Sequence, residues 1–174
     1  MSEATAKLGN SLEIISVDLT DDRHAMGLQR LLDDYSQNEF GNGRPLEPDV
    51  LSAVIPGLQA SGNYLGYIAF SGDQPVGLVN CFVGFSTFRA KPLINVHDLC
   101  VHHQYRGQGV GRRLLSAVAQ HAQDHGFCRV TLEVRSDNEI ARGLYHSMKF
   151  QPGTPPGVTC LLYTSPSPRD KTVS

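Results

Sequence analysis

Arg106, Gly107, Gln108, Gly109, Val110, Gly111 and Arg112 stand between an apolar, strand-like run from Leu93 to Val101 and a helix-like run through Leu114, Leu115, Val118, Ala119 and Ala122. Residues of these types in this order build an anion site from backbone alone. The first N–H groups of a helix lack partners within it, and the helix dipole favours negative charge at that end. Glycines allow positive φ and a close approach of main chain to a ligand. Arg106, Arg112 and Arg113 add positive charge. The stretch is therefore expected to grip a phosphate-bearing cofactor. A dinucleotide fold is the sharper rival, and Glu133 lies about 20 residues on, where that fold places its acid. Its G-x-G-x-x-G pattern would need Gly or Ala where Arg112 stands, and here a polar loop, His102 to Tyr105, separates strand from turn. A P-loop would need Gly-Lys-Ser or Gly-Lys-Thr, which is absent.

The elements that must hold this turn can be read from the periodicity. Leu12 to Val17 is a first strand after a polar leader. Asp21 or Asp22 caps a helix to about Ser36, with Met26, Leu28, Leu31 and Leu32 on one face. Gln37 to Pro45, rich in glycine, is a loop, either a lid near an acceptor site or a plain connection. Pro48 opens a second helix with Leu51, Val54, Ile55 and Leu58 facing inward. Tyr64 to Phe70 and Val76 to Phe85 are strands joined by the hairpin Ser71-Gly72-Asp73-Gln74. Gly109 to His125 is a helix ended by Gly126, Arg129 to Val134 a strand, and Asn138 to Met148 a short helix. The expected fold is mixed α/β (α+β): a mostly antiparallel sheet with a central β-α-β cofactor unit, flanked by helices.

The 174 residues suit one domain, and 40% hydrophobic with 18% charged residues is ordinary globular composition. A net charge of −2 points to neither nucleic acid nor an anionic membrane as partner. No apolar stretch reaches the length of a membrane span, and the leader lacks the apolar core of a signal peptide. Cys81, Cys100, Cys128 and Cys160 are far apart and read as reduced thiols, so a cytoplasmic location is expected. His121 and His125 have metal-ligand spacing, but no partner acid or thiol accompanies them; a solvated helix face is expected, and no metal. His102 and His103 are expected at the surface.

The end of the chain reads differently. CLLYTSPSPRD, Cys160 to Asp170, is what a common transposase sequencing adapter encodes when translated. A single domain over 1–159 is therefore expected, with 160–174 a non-native read-through on a truncated gene.

Arg106 to Gly111 fits the pattern Q/R-x-x-G-x-G/A. It is followed by Asn138-x-x-Ala141-x-x-x-Tyr145-x-x-x-x-Phe150 and preceded by His97-Asp98-Leu99-Cys100-Val101. Together these resemble the GNAT acetyltransferase superfamily, strongly from about Val96 to Phe150. The resemblance implies the acyl-CoA N-acyltransferase fold, with the pyrophosphate of acetyl-CoA on Arg106, Gly107, Gln108, Gly109, Val110, Gly111 and Arg112. It implies the pantetheine arm along the backbone of Leu99, Cys100 and Val101, a cofactor contact from Asn138, and Tyr145 as the acid that protonates the departing thiolate. Dimers are frequent in the family. One departure is Lys149-Phe150, where members commonly have Gly-Phe. Ser86-Thr87-Phe88 through Val101 resembles more narrowly the polyamine and thialysine branch, whose strand usually reads Glu-Asp; here His97 replaces the Glu and Asp98 stays.

That branch implies transfer to the primary amine of a small molecule. Acetylation of a protein N-terminus or lysine is the alternative, and an acyl-CoA-binding sensor without turnover a third. An alkyl amine has a pKa near 10, so about one molecule in a thousand is neutral at pH 7 and a base must take its proton. His97, of a residue type that ordinarily titrates in the working range, Asp98 and Glu133 are the candidates. Neighbouring strand residues face opposite ways, so His97 and Asp98 do not both face the acceptor unless a bulge intervenes. Glu39 is a further candidate for pairing with a cationic substrate.

Overall fold

A computed structural model of the chain describes residues 12–152 and, in backbone, residues 160–163. The leader, 1–11, and the rest of the tail, 153–159 and 164–174, lie outside the described residues. The elements are β1 (Leu12–Ser16), α1 (Asp22–Ser36), α2 (Pro48–Ser61), β2 (Tyr64–Ser71), β3 (Gln74–Ser86), β4 (Lys91–Val101), α3 (Val110–Asp124), β5 (Val130–Glu133), α4 (Glu139–Ser147), β6 (Gln151–Pro152) and β7 (Cys160–Tyr163). The seven strands form one sheet in the order β1-β2-β3-β4-β5-β7-β6. β1 to β4 pair antiparallel. β5 lies parallel to β4, with α3 as the crossover, so the expected β-α-β unit is present. β7, inside the stretch expected to be read-through, pairs antiparallel with β5 from Val130↔Tyr163 to Glu133↔Cys160.

Each face of the sheet carries its own core. On one face α3 buries Val110, Leu114, Leu115, Val118 and Ala122 against Val79, Cys81, Ile94, Val96, Val130 and Leu132. On the other, Leu28 and Leu31 of α1 meet Ile68, Phe70, Leu78 and Cys100. Burying a side chain such as Leu114 contributes about 1.5–3 kcal/mol. Asp21 caps α1, its carboxylate accepting from the His24 amide at 3.1 Å. Met26, expected on the inner face, is 64% exposed. At 3.6 residues per turn it stands about 200° round the helix from Leu28, so it faces water. Leu51, Val54, Ile55 and Leu58 of α2 do face inward, half-buried. Among the described residues no helix is long and apolar enough to cross a membrane.

One irregularity shapes the centre of the sheet. Asn80 lies opposite Asp98 and Cys81 opposite Val96, which leaves His97 as an extra residue in β4. Such a bulge bends its strand and re-aims side chains. The ladder between β4 and β5 runs from Ile94↔Val130 to Val96↔Leu132 and stops one residue before it. From His97 to Val101 no described strand pairs with that edge of β4. The result is a crevice at the carboxyl ends of two parallel strands, where sheets of this kind take ligands.

Candidate active site

The glycine turn lies at the mouth of this crevice. The segment His103–Tyr105 makes one 3-10 turn, anchored by the buried Tyr105 ring. Gly107 and Gly109 follow at φ +73° and +82°, and α3 begins at Val110. A Cβ on either glycine would meet no heavy atom within 4 Å, so space lies open over the turn. No side chain caps α3, which leaves the amides of Val110, Gly111 and Arg112 to the solvent side. Gly111 does a different job: a Cβ there would come within 3.3 Å of Leu144, so its lack of one seats α4 beside α3. The Gln108 amide donates to the Gln104 carbonyl at 3.1 Å and braces the loop. Arg106 donates from Nε to the Val101 carbonyl at 3.1 Å, and Arg112 reaches the Ser147 hydroxyl at 2.7 Å. Both arginines are exposed beside the turn. Arg113 instead turns to the Leu12 carbonyl, bracing β1.

Along β4, Leu99 and Val101 are half-buried, while the Cys100 side chain is sunk in the opposite core, so that residue offers the crevice its backbone only. Burial pushes the thiols of Cys81 and Cys100 far above their ordinary value, with the Asp98 charge adding to both. Asp98 is half-buried and accepts from the Asn80 amide at 3.1 Å. His97 is exposed, its ring edge-on to Phe82 at 5.5 Å. Glu133 is exposed at the end of β5. Asn138 caps α4, its side chain accepting from the Ala141 amide at 3.1 Å. Tyr145, on α4, is 6% exposed, and burial, with Tyr35 adding, pushes its phenol up to about 12.

Sequence reasoning missed Tyr35. Burial, then the charges of Asp98 and Cys100, push its phenol up, while Arg106 and Arg135 pull it down. Because Tyr145 feels Tyr35 as well, groups from α1, β4, the glycine turn, the β5–α4 connection and α4 share one electrostatic field. It packs against the core on the α1 face, whose members come from α1, β2, β3 and β4, so no local pattern marks it. Asn80 did carry a signal: it is the one polar side chain in the apolar run from Val76 to Val83.

The Gln37 to Pro45 loop is stitched to the end of α1. Ser36 Oγ donates to the Arg44 carbonyl at 2.7 Å and Asp33 accepts from the Leu46 amide at 2.8 Å. Phe40 lies 5.8 Å under the Arg135 guanidinium, so the loop reaches the far side of the crevice. Arg135 is also paired with Asp137 at 2.7 Å. Asp34, His102 and His103 bring one donor atom each within 4.8 Å of one another and could hold a metal ion. His102, expected at the surface, is half-buried with Nδ1 unpartnered, and burial lowers its pKa. His121, expected on a solvated face, is half-buried beside the Tyr67 hydroxyl at 3.0 Å.

The residues present fit a diphosphate with an extended, amide-bearing arm: uncapped amides, open space over two left-handed glycines, two exposed arginines and a free strand edge. The model of the acetyltransferase (GNAT) family matches residues 28–150. N-acetyltransferase 8F1 of Rattus norvegicus is 32% identical over 106 residues, 61% of this chain and 47% of that protein. A thialysine N-epsilon-acetyltransferase of Caenorhabditis elegans is 32% identical over 85 residues, 49% of this chain and 52% of that protein. The chain thus spans about half the length of these relatives. An aminoglycoside acetyltransferase from an uncultured soil metagenomic sample superposes with a TM-score of 0.69 at 23% identity, covering 86% of this chain and 94% of that one. A ribosomal-protein-alanine N-acetyltransferase from Brucella melitensis gives 0.65 at 22% identity, over 79% of this chain and 90% of that one.

Proposed function

The chain belongs to the acetyltransferase (GNAT) family of acyltransferase enzymes, and from that premise we propose that it moves an acetyl group from acetyl-CoA to the primary amine of a small molecule by direct attack. The observation that carries this reading is the crevice itself: β4 loses its partner strand at the His97 bulge, directly ahead of an uncapped, glycine-rich helix start. Bound there, acetyl-CoA supplies an activated acetyl thioester.

The chain's residues then divide the work. Amides of Val110, Gly111 and Arg112, with the charges of Arg106 and Arg112, hold the diphosphate. Backbone from Leu99 to Val101 pairs with the arm and polarises the acetyl carbonyl, and Asn138 flanks the arm while capping α4. Asp98 receives the acceptor ammonium and, directly or through water, takes the proton that frees the nitrogen lone pair. Asp98 is preferred to His97 and Glu133 because it is half-buried and hydrogen-bonded, whereas they are exposed. As the C–N bond forms and the C–S bond breaks, the nitrogen sheds its second proton to solvent, and Tyr145 gives its proton to the sulfur and regains one from solvent. Its raised pKa keeps that proton in place at working pH. The thialysine enzyme's name supports a small amine as acceptor. Proposed with this reading are a domain over 1–159, a read-through tail from Cys160, a cytoplasmic location and a homodimer.

The test is calorimetric titration with acetyl-CoA, followed by thiol release with thialysine, polyamines, aminoglycosides and an N-terminal peptide. Micromolar binding with release on the small amines is expected. No binding and no release would overturn the reading. Release on the peptide alone would move it to protein acetylation, and binding without release to a sensor.

A further inference from the structure

We infer that Asn80, locked by the Tyr64 hydroxyl, is the positioning residue that aims the Asp98 carboxylate at the acceptor amine. The inference rests on the proposed role of Asp98 and adds how the fold sets it. Asn80 is 2% exposed. Its Oδ1 accepts from the Tyr64 hydroxyl at 2.9 Å, and its Nδ2 donates to Asp98 Oδ2 at 3.1 Å. The first bond decides the second. With its carbonyl oxygen engaged by Tyr64, the amide must turn its NH2 to the carboxylate; the flipped amide would set oxygen against oxygen. Among the described residues Asp98 Oδ1 accepts no hydrogen bond and is left for the acceptor.

The backbone is built around this chain of bonds. The bulge at His97 brings Asp98 opposite Asn80, and Asn80 is opposite Gly66. Tyr64 leans across Gly66 to reach Asn80: a Cβ on Gly66 would fall on the Tyr64 hydroxyl and lie 2.6 Å from its Cζ. Phe82 packs edge-on against the Tyr64 ring at 6.1 Å. Titratable groups near enough to feel Asp98 come from four elements: Tyr35 of α1, Tyr64 of β2 and Cys100 of β4 on its own face of the sheet, and Cys81 of β3 on the other. Burial pushes all four up, so they stay neutral at pH 7. Arg106 and Arg135 lower the Tyr35 phenol, and Asp34 helps raise the Cys100 thiol.

The test uses the full chain, thialysine as acceptor, and the variants Tyr64→Phe, Gly66→Ala, Asn80→Asp and Asp98→Asn. Tyr64→Phe and Gly66→Ala are each expected to raise the thialysine KM about tenfold, the scale of one hydrogen bond to a charged group. Acetyl-CoA affinity, by calorimetry, stays unchanged. Asn80→Asp puts two carboxylates on one site, so one of the pair is pushed to titrate higher. The acid limb of its kcat/KM profile moves up by about one pH unit or more, a shift that lost packing alone does not produce. In nitrogen–proton NMR spectra the Asn80 side-chain amide is slow to exchange and loses that protection in Tyr64→Phe, a readout independent of activity. An unchanged KM in both Tyr64→Phe and Gly66→Ala, or an unmoved acid limb in Asn80→Asp, would overturn the inference. If Asp98→Asn raises KM and those variants do not, the positioning role alone fails. If Asp98→Asn leaves KM unchanged, the proposed role of Asp98 fails instead, and this inference with it.

Discussion

Replacing Gly109 by alanine strains the cofactor turn where its backbone is most demanding. Gly109 sits at φ +82° and ψ 5° at the head of α3, and a Cβ there would meet no heavy atom within 4 Å. Collision therefore contributes nothing. The cost is the left-handed backbone itself, about 1–2 kcal/mol for an L side chain. If the turn holds its shape, stability falls by that amount and acetyl-CoA binds as before. If it relaxes to negative φ, the amides of Val110, Gly111 and Arg112 swing away and binding must restore them. The Kd then rises by the same free energy, about five- to thirtyfold. Urea unfolding and calorimetric titration together are expected to recover about 1–2 kcal/mol between them. Gly62, which caps α2 at φ +69° and also has nothing within 4 Å, is the control. Gly62→Ala is expected to lose stability with the Kd unchanged. Gly109→Asn recovers part of the loss, since asparagine tolerates the left-handed region. The reasoning is refuted if Gly109→Ala changes neither quantity by more than about 0.3 kcal/mol, or if Gly62→Ala weakens acetyl-CoA equally.

Tyr145→Phe should lower turnover about a hundredfold or more and leave acetyl-CoA affinity alone; an affinity loss with turnover intact would make Tyr145 a packing residue. Because burial raises its pKa to about 12, its proton is lost only as pH rises through that value, and no alkaline limb from it is expected in the pH–rate profile below about pH 11. Lys149 is held at φ +66° after α4, so Lys149→Gly should raise stability by about 0.5–1 kcal/mol, read as a higher melting temperature; a lower one would count against the strain. The pKa values of His102 and His121 are lowered, chiefly by burial. As pH falls the unfolded chain takes up those protons first. Stability is therefore full above about pH 6.5 and declines as pH drops through the lower folded values. His121→Gln should flatten that slope between urea midpoints at neutral and mildly acidic pH.

What was legible in the sequence is what local chemistry decides. Asp21 and Asn138 are caps because a short acceptor side chain before an apolar repeat has one good use, and both cap in the structure. The turn at Gly107 and Gly109 was legible because few residues accept positive φ. Lys149 was legible too, as a lysine where the family this sequence resembles commonly has glycine. The bulge was not. Asn95 to Val101 reads as plain strand, and only pairing with β3 shows that His97 has no opposite number. Tyr35, Tyr64 and Asn80 converge from three elements far apart in the chain, which no periodicity encodes. Helical phase alone would have set Met26 aside.

The two cores lie on opposite faces of one sheet. The glycine turn belongs to the α3 face and Asp98 to the face covered by α1, with the interrupted ladder between them. On the proposed reading, donor and acceptor therefore have separate doors to a shared threshold. Neither would have to vacate for the other, and no side chain would need to carry the acetyl group across. Both molecules could then be aboard together, in whichever order they arrive.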